Sequence, residues 1–277
     1  MIEAKIIEDS ISNEEYRLTT LQLVYPRFIH SEIMTHRVFS RNASSSRAIP
    51  VAKMLEMVRN DPAMPIHWGK NQPGMQAKEE IQHVGAAKDL WLEAARKAAD
   101  VAERMNEIGL HKQVANRILE PFQHIHVVLT GTEWENFFAL RAHPDAQPEF
   151  HALAVEMRRV MDESTPKLLE VNEWHLPYVT AEERESAAIE TLRKVSAARC
   201  ARVSYLKHDG EKPDVVSDLA LYDRLVGSKP IHASPVEHQA TPDFFVTDPS
   251  DYGWFDGGLH GNFVGWVQFR KIIESGF

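Results

Sequence analysis

One cysteine, Cys200, stands in 277 residues. No intrachain disulfide can form, and zinc sites built on several thiolates are excluded. That usage fits a reducing, cytoplasmic compartment. Long apolar runs are also missing; none approaches the roughly 20 residues of a membrane-spanning helix. Residues Met1 to Asp9 lack a signal-peptide core and carry acids where a signal carries bases. Cations are outnumbered, 31 Lys and Arg against 40 Asp and Glu, for a net charge of −9. A protein that coats duplex nucleic acid needs a net basic face, so no stable nucleic-acid partner is expected, although a local basic pocket is allowed. The chain has no Gly-x-Gly-x-x-Gly turn, no repeat and no low-complexity tract. What remains is globular: 43% hydrophobic, 26% charged, and long enough to bury a core without a staple.

The periodicity alternates between strand and helix. Leu18–Tyr25 is β-rich and predicts a strand. Arg27 to Arg37 has apolar residues at helical spacing, ending near an Arg/Ser/Asn segment. Residues 60–76, with Pro62, Pro65, Pro73 and Gly74, predict a long loop. Glu79 to Met105 predicts the longest helix and His111 to Leu119 a short one. His124 to Leu129 is too short an apolar run to assign by period, and a strand is one option. Thr132 is placed to cap a helix running to Arg141, with Glu135 completing a capping box. Pro148–Met161 is amphipathic. Thr180 caps a further helix expected through Val195, with Glu182 and Glu183 in its first turn. A polar loop over 206–214, a helix over Val215–Val226, an irregular stretch to Pro242 and an aromatic, Gly-rich tail complete the chain. Together these predict a single α+β domain over 1–277, with a helical insertion at about 50–110.

Between Glu32 and Glu56 there is no acidic residue. His36, Arg37, Arg41 and Arg47 alternate there with Ser40, Asn42, Ser44, Ser45 and Ser46. Guanidinium groups grip phosphate oxygens in pairs of hydrogen bonds, and hydroxyls and backbone N–H groups complete such a shell. The window is either a phosphate site or a solvated loop. Arg117 and Arg141 either bind a ligand anion or pair with a carboxylate at the core edge. His232, Ser234, Glu237 and His238 lie close together, but their spacing matches no standard zinc motif, and no metal site is assigned. His124 and His126 share one face of a strand. Cys200 is either a small buried residue or an activated thiolate.

Thr35-His36-Arg37-Val38-Phe39-Ser40-Arg41-Asn42-Ala43-Ser44-Ser45-Ser46-Arg47 resembles the signature of the flavin-dependent thymidylate synthases, Arg-His-Arg-x-x-Ser-x-Asn-x-x-Ser-x-Arg. Every fixed position matches except the first, where Thr35 replaces Arg. Arg117 with Pro121, Asn136-Phe137, Leu140-Arg141 and Ala146-Gln147 resemble a later block of the same family. Ala201-Arg202-Val203-Ser204-Tyr205, the helix from Asp218, and His232-Ala233-Ser234-Pro235-Val236-Glu237-His238 resemble its N-terminal block. Here that block, at about 196–240, follows the signature instead of preceding it, as in a circular permutation.

The resemblance implies an α+β fold with a curved, mainly antiparallel sheet and long helices. It implies an enzyme making dTMP from dUMP, with methylenetetrahydrofolate as carbon donor and FAD, reduced by NADPH, as hydride source. It implies a homotetramer with shared active sites. Carried over by position, His36, Arg37, Asn136, His232 and Ser234 bind FAD. Glu32, Ser45, Ser46, Arg47, Arg117 and Arg141 bind the nucleotide, and Arg141 and Ser45 are catalytic. Thr35, Glu32 (where the family has Gln) and Ala48 (often Tyr) depart from the pattern. They leave open dCMP as substrate, a hydroxymethyl product, or a binding protein without turnover. Asn262, Gly261, Phe263 and the segment Gly265–Arg270 are candidate lining residues from the tail.

Overall fold

The computed structural model describes residues 1–203 and 214–276. Its first strand, β1 (Glu3–Ser12), is hidden in the sequence by Glu3, Lys5, Glu8 and Asp9. It pairs antiparallel with β2 (Arg17–Pro26), the strand expected over Leu18–Tyr25. The helix expected to Arg37 is cut short. A 3-10 turn, Arg27–Ile29, leads into α1 (His30–Ile33), where Thr35 Oγ1 and the Thr35 and His36 N–H groups cap the last carbonyls. The Arg/Ser/Asn segment then forms a strand, β3 (Ser40–Ala43).

Two antiparallel helices, α2 (Val51–Asn60) and α3 (Val84–Glu107), follow, separated by the expected proline-rich loop. The long helix starts at Val84, not Glu79, because the Lys70 N–H donates to the Glu79 carbonyl and Glu80 bridges to Gly69. Ala95, Ala99 and Ala102 form a small-residue stripe that lets Val51, Met54, Leu55 and Val58 pack close. The next short helix, α4 (Lys112–Ala115), passes into a 3-10 turn, Asn116–Phe122, that contains Pro121.

The ambiguous run becomes β4 (His124–Gly131). Thr132 does not cap α5 (Glu135–Arg141); its hydroxyl accepts the Val264 N–H instead. In α6 (Pro148–Asp162), Gln147 caps the Phe150 N–H and Pro148 occupies the first turn, where its missing donor costs nothing. A short strand, β5 (Lys167–Leu169), follows. Thr180 and Glu183 form the expected capping box on α7 (Ala181–Ser186), but the helix breaks at Ala187 and resumes as α8 (Ile189–Arg202). That break lets Arg199 reach back to Glu183. Asp214 caps α9 (Val215–Leu225). The expected irregular stretch contains a 3-10 turn, Ser234–Glu237, and β6 (Ala240–Pro242). The tail holds β7 (Phe245–Val246), β8 (Gly253–Trp254), β9 (Trp266–Gln268) and a last helix, α10 (Phe269–Ser275). Ser204, Tyr205 and all but the end of the loop expected at 206–214 lie outside the described residues.

The main sheet runs β3-β4-β2-β1-β5, antiparallel except for the β1–β5 pair. Its two faces differ in chemistry. Leu21, Leu23, Tyr25, Ile125, Val127 and Leu129 cover one face and pack on Phe150, Leu153, Ala154 and Met157 of α6. On the other face Thr20, Thr130 and Ser40 are cross-strand neighbours. Residues from the C-terminal half cap this polar row. Thr20 bonds His175, Thr130 bonds His238, and Cys200 and Val203 pack on Val128. Cys200 is thus a buried packing residue, and burial pushes its thiol pKa up, away from thiolate reactivity.

Candidate active site

His36 and Arg141 meet at the edge of the apolar face. Arg141 Nε donates to His36 Nε2 at 2.9 Å, and its guanidinium carbon lies 4.6 Å from the centre of the Phe150 ring. The His36 ring stands edge-on to Phe137 at 5.0 Å and to Phe150 at 5.8 Å. Burial, then Arg141 and Arg41, push the His36 pKa below its ordinary value. The imidazole is therefore neutral at pH 7, with Nε2 as acceptor and the proton on Nδ1. Arg41 Nη1 donates to the His36 carbonyl at 2.7 Å. Nearby, His30 bonds the Tyr25 hydroxyl at 2.8 Å; burial and the cations Arg27 and Arg41 push its pKa to about 4.

The turn after β3 forms a second cluster. Ser46 Oγ donates to Glu120 Oε1 at 2.6 Å, and the same carboxylate receives Arg117 at 2.8 Å and Arg27 at 3.2 Å. Asn116 holds the turn from below, donating to the Ser46 and Ile49 carbonyls. Ser46 and Arg117 are brought together, but through an acid that sequence patterns did not mark. Ser45 is half-buried with its hydroxyl unbonded among the described residues, and Arg47 is exposed. Glu32 sits on α1, where its carbonyl takes the Thr35 hydroxyl.

Arg37, Asn136, His232 and Ser234 are all exposed. Among the described residues, no hydrogen bond or ring contact joins His232 or Ser234 to His36, Arg37 or Asn136. The 3-10 turn that begins at Ser234 instead packs beside β3, tied there by Gln268, which donates to the Glu237 carbonyl at 3.1 Å and to Ser40 Oγ at 3.3 Å. A cleft of about 320 Å³, lined by Lys53, Glu56, Asn60 and Gln123 among others, shares no residue with these clusters.

Charge is distributed unevenly over this surface. Among the described residues, the guanidiniums of Arg37, Arg41, Arg47 and Arg141 have no carboxylate within ion-pair distance. Several arginines elsewhere are matched: Arg17 with Asp9, Arg59 with Glu103, Arg159 with Glu156, Arg199 with Asp218. In a chain of net charge −9, the signature carries three of these unpaired guanidiniums, Arg37, Arg41 and Arg47. Such a surface suits an anion with several oxygens.

A family profile described as thymidylate synthase complementing protein matches residues 12–167, from the end of β1 to the start of β5. The chain belongs to that family. The part matched to the thymidylate synthase complementing protein family holds most of the main sheet, the signature and the His36–Arg141 pair. Among solved structures, the UMP/dUMP methylase PolB from Streptomyces cacaoi bound with 5-Br dUMP is similar, with a TM-score of 0.50 and 15% identity over 59% of this chain and 90% of that one. The same enzyme bound with 5-Br UMP gives a TM-score of 0.49 and 16% identity over 59% and 89%. At 15% identity the first of these is a likeness of fold. Comparison with curated proteins gives no match. No helix among the described residues is long and apolar enough to cross a membrane.

Proposed function

We propose that the chain is a flavin-dependent thymidylate synthase that converts dUMP to dTMP, with methylenetetrahydrofolate as carbon donor and NADPH as reductant of FAD. The observation that carries this is the set of unneutralised guanidiniums around a neutral His36 in an acidic protein. Membership of the family supports the reaction class. The exposed donors of Arg37, Asn136, His232 and Ser234 suit a dinucleotide with two phosphates, and no carboxylate competes for Arg37 among the described residues. In this proposal the complete site is shared between copies of a homo-oligomer, a tetramer. The bound, reduced flavin supplies the hydride.

The chain's own residues bind and orient the nucleotide. Arg47 and Ser45 hold the phosphate. Arg141 keeps its Nη groups for the uracil edge, while Nε is fixed by His36. A guanidinium there stabilises the negative charge that develops on the ring as C5 becomes nucleophilic. Arg only donates, so it suits a uracil carbonyl better than a cytosine amine. The chain order is proposed to be permuted, since Glu237 of the 232–238 segment is tied through Gln268 to Ser40 of the signature strand although it follows that strand in sequence.

The test is the mass of the nucleotide product. Purified protein is given FAD, NADPH, methylenetetrahydrofolate and dUMP, with dCMP in a parallel tube. A methyl gain on dUMP alone is expected. A hydroxymethyl product, or modification of dCMP, replaces the proposal with the sister reaction and points to Glu32 and Thr35. No product with FAD bound overturns turnover and leaves a binding protein.

A further inference from the structure

We propose that Asn262, in the C-terminal tail, is a positioning residue that presents Arg37 to the anionic cofactor. The proposal rests on the flavin assignment above. Arg37 lies on an exposed turn, and among the described residues its side chain makes no hydrogen bond, ion pair or ring contact. Its direction is set by the peptide groups that bracket it. On one side Arg41 Nη1 donates to the His36 carbonyl at 2.7 Å. On the other, Asn262 Nδ2 donates to the Val38 carbonyl at 2.9 Å, across 224 positions of sequence.

Asn262 is itself oriented. Its Oδ1 accepts Ser40 Oγ at 3.1 Å and Gln268 Nε2 at 2.9 Å, which leaves Nδ2 to face Val38. Gln268 is buried and anchored on the Glu237 carbonyl at 3.1 Å. Gly261 has φ +62°, and a Cβ there would lie 2.4 Å from Gln268 Oε1. The tail therefore has a backbone turn that favours glycine, a buried amide above it, and a half-buried amide reaching the signature. Val38 is 37% exposed, so the bond adds little to the core. What it removes is freedom in the turn that carries a free cation. Ordering a binding group before the ligand arrives lowers the entropic cost of binding.

The experiment combines FAD affinity with hydrogen exchange in four proteins: wild type, Arg37→Ala, Asn262→Ala and the double variant. Asn262→Asp is a near-isosteric fifth; it keeps the acceptor and loses the donor. Asn262→Ala and Asn262→Asp are expected to weaken FAD binding about five-fold, the worth of one hydrogen bond. Both are expected to speed amide exchange over residues 36–41 and leave α3 unchanged. In the double variant FAD binding is expected to match Arg37→Ala alone, because Asn262 acts through Arg37. Additive losses, unchanged exchange over 36–41, or unchanged FAD affinity where Arg37→Ala weakens it would each overturn the proposal. An Arg37→Ala protein that binds FAD as the wild type does would overturn the flavin assignment itself.

Discussion

Arg141 and His36, 105 residues apart, share one hydrogen bond in which the arginine is the donor and the histidine a neutral acceptor. The bond fixes the imidazole tautomer and holds one guanidinium nitrogen away from the ligand. Removing the cation removes one cause of the lowered His36 pKa. Arg141→Ala is therefore expected to move the His36 titration upward toward about 6.5, its unperturbed value. NMR of the imidazole reads this directly, and an unmoved titration would show that burial and Arg41 set it without Arg141. The same variant is expected to weaken dUMP binding by about ten-fold or more, as loss of a charged hydrogen bond does.

Glu120 occupies the donors of Ser46, Arg117 and Arg27. A phosphate placed on the same groups meets its negative charge. Glu120→Gln keeps the shape and removes the charge. It is expected to tighten dUMP binding about three- to ten-fold in low salt, with the gain shrinking as salt screens it. Calorimetric titration at two ionic strengths checks this. Weaker binding would mean that Glu120 holds the cations in place for the ligand and does not compete with it.

Asp218 is 1% exposed and accepts both Arg199 Nε and Arg202 Nε at 2.8 Å. Asp218→Ala strands a buried guanidinium. The expected loss is about 3 kcal/mol, at the low end for a broken buried pair because Glu183 still holds Arg199. Urea unfolding measures it, and a change below about 1 kcal/mol would show that Glu183 alone suffices.

Acid is expected to destabilise the fold through the two histidines that cap the polar face. Burial holds the His175 pKa well down and pushes His238 to about 3. In the unfolded chain both titrate near 6.5, so below that pH the unfolded state binds more protons and stability falls, by about 1.4 kcal/mol per histidine per pH unit. Glu8 works the other way. Burial pushes its carboxyl up to about 7, so the folded state holds an extra proton between the ordinary carboxylate value and 7. Two histidines outweigh one carboxyl. The urea midpoint is expected to drop from pH 7 to pH 5 and further to pH 4; a flat or rising midpoint would contradict it.

Strand β2 and helices α6 and α9 were legible because their side chains follow one period, whereas the short apolar run of β4 left its type open. β1 was not, because Glu3-Ala4-Lys5-Ile6 alternates only briefly before the bulge between Ile6 and Glu8 shifts the register and the polar run Glu8-Asp9-Ser10 follows. β3 was masked by the Arg, Ser and Asn residues that mark the signature. The break between α7 and α8 is tertiary in origin, since Arg199 reaches Glu183 only across it. In the site, residue types predicted which cations matter but not their partners. Glu120 carried no signal, because Arg27, Ser46 and Arg117 converge on it from separate stretches of chain. Asn262 was legible as a candidate lining residue of the tail, but its bond to the Val38 carbonyl was not.

The hydroxyl row across the sheet also acts as a check on folding. Thr20, Thr130 and Ser40 alternate along their strands with Leu21, Leu129 and Phe39. A slip of one residue in any pair would turn hydroxyls into the greasy layer over Phe150 and leave His175 and His238 facing hydrocarbon. Either error abandons buried polar groups, at a few kcal/mol each. Misaligned strands thus leave the second half of the chain no polar row to close over.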